Sequence, residues 1–382
     1  MKIAALCDFP FWASNLGTGV RHDSLCRALA GICDLTVIST VTLHKKDEHF
    51  RQTAPYRLLD RGDLKDLVQR VGGPPISGLL PDREMPVRAI ACLVSDEGFD
   101  AVLTPYFNRD WMVEHLPRHV VRIIDTHDCQ SQRATSLMRH GIVPTFFLDA
   151  AHEGAMFKDY DIALAMSVED RAEFAGMTDI PVITAPFRVR SRDLAPMRHV
   201  YGQTGSRNLL FIAAQSPVND MTLDYLLRQI MPLVPGQCTL TVIGNVTMPQ
   251  DVDLPHVTLQ HLQDVGDLVP LYAQADLALN PTFAGGGVKT KTLEAMAFGV
   301  PVVTCDEGAR GLRHLLPDDL VVNDKETFAY RVGELLDAPE RRAALARQIL
   351  DNLSAENAEQ WLSLFGAVTR AAISTKRERY LR

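Results

Sequence analysis

Residues 281–305, PTFAGGGVKTKTLEAMAFGVPVVTC, place a glycine-rich turn directly before a short amphipathic helix and a buried strand, and that order constrains the fold more than any other segment. Gly285, Gly286 and Gly287 let the backbone approach a ligand closely. The helix that follows offers free N–H groups and the positive end of its dipole. Lys289 and Lys291 add charge at the same mouth. Leu293, Met296 and Ala297 recur at helical spacing, Gly299 is placed to end the helix, and Pro301 opens a core strand through Val302 and Val303. Phosphate near residues 285–291 is the functional expectation, with Glu294 one turn deeper as an acceptor for hydroxyl hydrogen bonds. Glycine turns before helices also serve packing in α/β proteins, so the loop alone leaves both readings open.

The start of the chain repeats the pattern of strand, glycine loop and helix. An apolar strand over 2–8 leads through LGTGV to a helix over 20–30, a Rossmann-like opening. Strands are expected over 35–40, 101–104 and 120–125, the last ending in the polar cluster DTHD, where doubly wound sheets bind ligands. Residues 44–85 are charged and rich in Gly and Pro and read as irregular helices and loops. A helix over 146–160, a strand over 162–167 and a helix over 168–174 follow. Between 186 and 207 the apolar pattern breaks, which marks a domain junction. A second series then runs through strands over 208–213, 238–243, 257–259 and 276–280, with helices over 223–233 and 268–273. Helical periodicity fills 327–353 and 357–375. A chain of 382 residues exceeds one ordinary core, so the reading is an α/β fold of two Rossmann-like domains, 1–188 and 206–355.

Composition narrows the function. A net charge of −8 argues against nucleic acid as a partner. Seven scattered cysteines, with no CxxC pair and no zinc-finger spacing, read as reduced thiols in a cytoplasmic protein. No signal peptide is expected in MKIAALCDFP, and no segment has the roughly 20 unbroken apolar residues of a membrane span. The basic tail TKRERYLR can stay solvated or dock peripherally on anionic lipid at the inner face of a membrane.

The string GGGVKTKTLEAMAFGVPVV, set in two Rossmann-like halves, resembles the retaining glycosyltransferases of the GT-B fold, the family-four-like glycosyl transferases group 1. GTGV near the start, EGAMFKDYDIALAMSVEDRAEF and LLFIAAQSPVNDMTLDYLLRQIMPLV are similar to further parts of that family. The resemblance implies two domains facing across a cleft, with a C-terminal helix over 356–382 returning toward the first. It implies a hexosyltransferase-type enzyme that moves a sugar from a nucleotide-diphosphate sugar to a glycan or glycolipid acceptor, as in polysaccharide biosynthesis. No metal and no cofactor are expected, the nucleotide-sugar being the substrate.

Residue by residue, the resemblance makes Glu294 the acceptor for ribose hydroxyls and puts Gly286, Gly287, Val288 and Thr290 around the diphosphate. Lys289 or Lys291 would neutralise the leaving phosphate. Gly17, Thr18 and Gly19 match the glycine loop that approaches the donor phosphates, and His127 matches a histidine near the reacting face of the sugar. Arg21 could reach phosphate, although an exposed helix arginine is the expected reading. Asn219 could contact the donor or cap a helix near Thr222. One departure stands out: where many family members carry the first of two glutamates, this chain has Gly286. That substitution keeps a second reading open, a non-catalytic nucleotide-sugar-binding or partner subunit. A nucleotide-sugar epimerase would instead draw on Asp125, His127, Asp128 and Glu307, and a metal hydrolase built on DTHD lacks the further ligands such a site requires.

Overall fold

The computed structural model describes residues 1–12, 17–71, 81–144, 147–188, 206–356 and 358–380. They divide into two compact units: Met1–Cys129 with Asp149–Arg188 and Ala358–Arg382, and Gln130–Leu148 with Val189–Asn357. The junction expected over 186–207 lies largely outside the described residues.

The chain runs β1 (Lys2–Cys7), α1 (Gly17–Ala30), β2 (Asp34–Ser39), α2 (Glu48–Thr53), β3 (Arg57–Leu59), α3 (Arg61–Val71), α4 (Pro81–Asp96), β4 (Ala101–Pro105), β5 (Val121–Asp125), α5 (Gln130–Arg139), α6 (Ala150–Met156), β6 (Ile162–Ala165), α7 (Val168–Ala175) and β7 (Val182–Thr184). It continues through β8 (Asn208–Ile212), α8 (Pro217–Tyr225), β9 (Cys238–Ile243), β10 (Val257–Leu262), α9 (Val269–Gln274), β11 (Leu277–Asn280), α10 (Thr290–Ala297), β12 (Val302–Thr304), α11 (Lys325–Asp337), α12 (Pro339–Ala355) and α13 (Ala358–Tyr380).

The first unit is built on a parallel seven-stranded sheet of order β3-β2-β1-β4-β5-β6-β7. Its strands are buried on both faces, which is why they read as continuous apolar runs. Leu25, Cys26 and Leu29 of α1 cover one face together with Trp361, Phe365 and Ile373 of α13. Ala89, Ile90, Leu93 and Val94 of α4 and Phe174 of α7 cover the other. Burial of a side chain such as Phe365 is worth about 1.5–3 kcal/mol. The basic tail belongs to α13 as far as Tyr380: Lys376 pairs with Asp161 at 2.6 Å and Arg377 with Asp100 at 2.5 Å.

The second unit carries a parallel five-stranded sheet of order β10-β9-β8-β11-β12. In α10 the end is set by Gly299: its N–H donates to the Met296 carbonyl and that of Val300 to the Ala295 carbonyl, the paired bonds of a glycine-stopped helix.

Three elements depart from the sequence reading. The stretch 44–85, expected to be irregular, contributes the edge strand β3, whose Thr36↔Arg57 to Ile38↔Leu59 pairing with β2 supplies order that its composition does not suggest. Helix α8 starts at Pro217, six residues before the expected helix, because Ser216 caps it through the Asn219 N–H at 3.2 Å. Helix α5 falls in a segment given no element, and it groups with the second unit rather than with the 1–188 body that surrounds it in sequence. Leu137 and Ile142 bury against Ala284, Val218 and Phe283. That contact is long-range and has no local signature.

Candidate functional site

Each sheet has one point where the strand order reverses, between β1 and β4 in the first and between β8 and β11 in the second. Ligands of open α/β sheets bind beyond the carboxyl ends of the strands at such points. The residues singled out from sequence gather at both.

In the first unit, α1 begins at Gly17, so Gly17, Thr18 and Gly19 form its first turn and not the loop expected. Their N–H groups lie at the positive end of a 14-residue helix. Thr18 Oγ1 is 3.0 Å from the Tyr106 hydroxyl, just past β4, and Tyr106 stacks on His127 with ring centroids 4.1 Å apart. Both stacked residues are left-handed, at φ 58° and 62°. A three-residue turn, with the Asp128 N–H donating to the Thr126 carbonyl at 2.8 Å, closes around His127. Non-glycine residues in this region cost on the order of 1–3 kcal/mol each and collect at functional sites.

Below this stack lies an ion pair. Arg21 is fully buried, contrary to the exposed helix arginine expected from sequence. Its Nε and Nη2 donate to Asp125 Oδ2 and Oδ1 at 3.2 and 2.8 Å, and Nη1 donates to the Ala185 and Pro186 carbonyls. His127 Nε2 is 3.2 Å from Asp125 Oδ2. Burial opposes ionisation of Asp125, but Arg21 and His127 outweigh it and hold the carboxyl below its usual range. Asp125 is thus held as a buried anion in a two-pronged pair with Arg21, beside His127.

In the second unit, Gly285 and Gly287 take φ of 127° and 61°, conformations that only glycine adopts without strain. Gly286 is required by space. A Cβ there would lie 2.7 Å from Arg133 Cβ and 3.0 Å from Gln132 Oε1 of α5, so no side chain, glutamate included, fits this backbone. Ser136 of the same helix accepts the Gly285 N–H at 3.0 Å. A buried network holds the loop from beneath: Asn280 Nδ2 donates to Thr292 Oγ1, Thr292 Oγ1 to the Gly308 carbonyl, and Thr304 Oγ1 to the Asn280 carbonyl, each at 2.7 Å.

Lys289 occupies the N-cap position of α10, and no side chain caps that end. Val288 is buried behind it and Thr290 is exposed. Lys289 Nζ donates to Glu307 Oε1 at 2.6 Å and to the Gly286 carbonyl at 3.1 Å. Lys291 Nζ donates to Asn219 Oδ1 at 2.8 Å, lies 3.5 Å from Thr282 Oγ1 and sits 5.3 Å from the centre of the Phe211 ring. Asn219 is therefore a partner of Lys291 and not a helix cap, which is the role of Ser216. Burial, aided by the charge on Lys289, lowers Lys291 to about 7, and among the described residues no carboxylate offsets this. One turn on, Glu294 Oε2 accepts the Tyr272 hydroxyl at 3.0 Å, with Tyr272 stacked on Phe298 at 4.2 Å. Burial raises Glu294, and the bond from Tyr272 partly opposes it.

The expected residues thus form two clusters, Gly17, Thr18, Gly19 and His127 in one unit, and Asn219, Gly286, Gly287, Val288, Lys289, Thr290, Lys291 and Glu294 in the other. Sequence reading missed Tyr106, Tyr272 and the α5 residues against the glycine loop. Of these only Tyr106 carries a sequence signal, its place just beyond a strand end. Among the described residues no group of three or more His, Cys, Asp or Glu side chains could hold a metal ion, and no helix is long and apolar enough to cross a membrane.

Residues 206–338 match the family model described as Glycosyl transferases group 1, so the second unit contains a domain of that group. No curated protein matches the chain by sequence. Among solved structures, a sucrose-phosphate synthase of Thermosynechococcus elongatus is similar with a TM-score of 0.68 and 14% identity over 98% of this chain and 100% of that one. TarM, known from S. aureus, gives 0.72 and 9% over 96% and 98%, and Anabaena HepE in complex with UDP and glucose gives 0.60 and 15% over 96% and 98%. The fold is therefore GT-B, with two parallel α/β sheets.

Proposed function

We propose that this chain, a GT-B protein with a group 1 glycosyltransferase domain over residues 206–338, transfers a hexosyl group from a nucleoside diphosphate sugar to a glycan or glycolipid acceptor, with retention and without a metal ion. One observation carries the reading. Lys291 is a half-buried ammonium with neutral partners only, set beside Lys289 at the uncapped end of α10 and beneath a glycine loop. Desolvating a cation is costly, and a bound anion offsets that cost. A diphosphate supplies such an anion.

In this reading the loop N–H groups of Gly286 to Thr290 and the two lysines receive the diphosphate, and Glu294 accepts the ribose hydroxyls. As the bond between the anomeric carbon and phosphate oxygen breaks, the developing negative charge falls on the oxygen that Lys289 and Lys291 face. The acceptor oxygen bonds to the anomeric carbon on the same side, and its proton passes to the departing phosphate oxygen, so no separate base is required. The role that the resemblance gives His127, stacked on Tyr106 in the first unit, is to donate to a sugar hydroxyl or steady charge at the anomeric centre. The positive charge that metal-dependent transferases take from a cation comes here from lysine and the helix end. A cytoplasmic location, with peripheral membrane contact when the acceptor is a glycolipid, accompanies this reading.

HepE has been solved with UDP and with UDP-glucose, which makes uridine nucleotides the first ligands to try. The test is a thermal-shift screen of UDP, GDP and their sugars with and without EDTA. Ligand at 100 times its Kd stabilises by about 2.7 kcal/mol. Stabilisation by one nucleoside diphosphate, unchanged by EDTA, is expected, followed by transfer of that sugar with retained configuration by NMR. Stabilisation by none, or only with divalent metal present, overturns the reading.

A further inference from the structure

A cavity of about 510 Å³ opens at the carboxyl ends of β11 and β12 in the second unit, within the range of small-molecule sites. Phe328 forms part of its buried floor, and Tyr225 and Phe283, edge to face at 6.1 Å, form a wall. The rim is polar and fixed. Asn323 Nδ2 donates to Asp306 Oδ2 at 2.7 Å while the Asp306 N–H donates to Asn323 Oδ1 at 2.9 Å, holding an exposed amide and carboxylate side by side. Glu307 completes the rim, with one carboxylate oxygen on Lys289 of the anion loop.

Aromatic faces beside rigid carboxylate and amide oxygens suit a ligand with an apolar C–H face and several hydroxyl donors at its edge. Asp306, Glu307 and Asp324 outnumber Lys325 in the lining, and the Lys325 ammonium donates to Gln229 Oε1 at 3.1 Å, so the cavity disfavours an anion. A nucleotide phosphate or sugar phosphate is a poor match, whereas a neutral glycosyl ring fits. Glu307 joins the cavity to Lys289, so a ring seated there lies one side chain from the anion loop.

We propose that this cavity is a glycosyl-binding subsite for the acceptor, carried by the donor domain itself. The assignment rests on the transferase reading above. The test is saturation-transfer NMR on the full chain with methyl glycosides of glucose, galactose, mannose and N-acetylglucosamine, repeated for Tyr225→Ala and Asp306→Ala, each checked for an unchanged melting profile. At least one glycoside should receive saturation on its ring protons, UDP should leave the signal in place, and each substitution should reduce it at least fivefold. Asp306 is exposed, which keeps the test independent of folding should Tyr225→Ala destabilise. No signal from any glycoside, a signal unchanged in Asp306→Ala, or displacement by UDP would overturn the assignment. UDP and GDP melting shifts on the same samples separate the two ideas. Nucleotide binding without glycoside binding refutes the cavity alone, and glycoside binding without nucleotide binding refutes the transferase reading and with it the acceptor role.

Discussion

Lys291 Nζ donates to Asn219 Oδ1 across 2.8 Å, tying the helix after β11 to the helix after β8 where the strand order of the second sheet reverses. The neutral partner leaves the ammonium charge uncompensated at the point where an α/β sheet receives its ligand.

Replacing that lysine with an isosteric apolar residue separates binding from folding. Lys291→Met should weaken nucleoside diphosphate binding by about 1.5–3 kcal/mol, or roughly 10- to 150-fold. The unliganded protein should be no less stable, since a desolvated charge has been removed. Calorimetry and urea unfolding measure the two effects. An unchanged Kd would take Lys291 out of the anion site.

The lowered Lys291 also makes binding pH-dependent. Below about 7 the free site already carries the proton, so Lys291 adds no pH dependence there. Above it the free site is increasingly neutral while a bound diphosphate keeps the ammonium protonated, so affinity falls with rising pH by up to about tenfold per unit. Calorimetry at pH 8 in buffers of different ionisation enthalpy should detect uptake of up to one proton, absent in Lys291→Met. No uptake in the wild type would refute the linkage.

Glu294→Ala removes the proposed acceptor for the ribose hydroxyls and should cost about 1–3 kcal/mol of nucleotide affinity. A control retains the carboxylate: Tyr272→Phe deletes only its 3.0 Å partner and should bind better than Glu294→Ala. Equal affinity of Glu294→Ala and wild type would sink the ribose role.

In the proposed reaction His127 meets the transferred sugar, so His127→Ala should reduce kcat by roughly 10²-fold while leaving nucleotide affinity within a few-fold. Steady-state kinetics beside direct binding decides it. An unaltered kcat would return His127 to loop support.

Acid should loosen the first unit. His22 packs edge-on against Phe9 and Phe11, and burial lowers it to about 4. Between about 4 and its ordinary 6.5 the unfolded chain binds the extra proton, so the stability gained by keeping His22 neutral is complete above 6.5 and lost as pH falls, by about 3 kcal/mol. Asp125 acts in the same direction, since its depressed carboxyl contributes above its usual range and loses that contribution on acidification. Trp12, Trp111 and Trp361 all belong to this unit, so urea unfolding followed by tryptophan fluorescence reports on it. His22→Leu should flatten the slope from pH 6.5 to 4.5, and an identical slope in that variant would refute the assignment.

Local order was legible along the chain: apolar runs that become parallel strands, the glycine turn into α10, and the glycine stop at 299. These depend on the conformations and periodicities of residues adjacent in the chain, which the sequence states directly. Tertiary structure alone decided what each polar side chain meets. Arg21 reads as a surface residue until Asp125, 104 positions away, is brought against it in the core. Gly286 reads as a missing glutamate until α5 fills the space where a side chain would lie. Lys291 reads as one of two loop cations, and becomes a half-buried ammonium with a neutral partner only when Asn219, 72 positions earlier, is brought against it. Burial and charge compensation depend on distance in space, and in a doubly wound fold the strand order that sets those distances differs from the order of the chain.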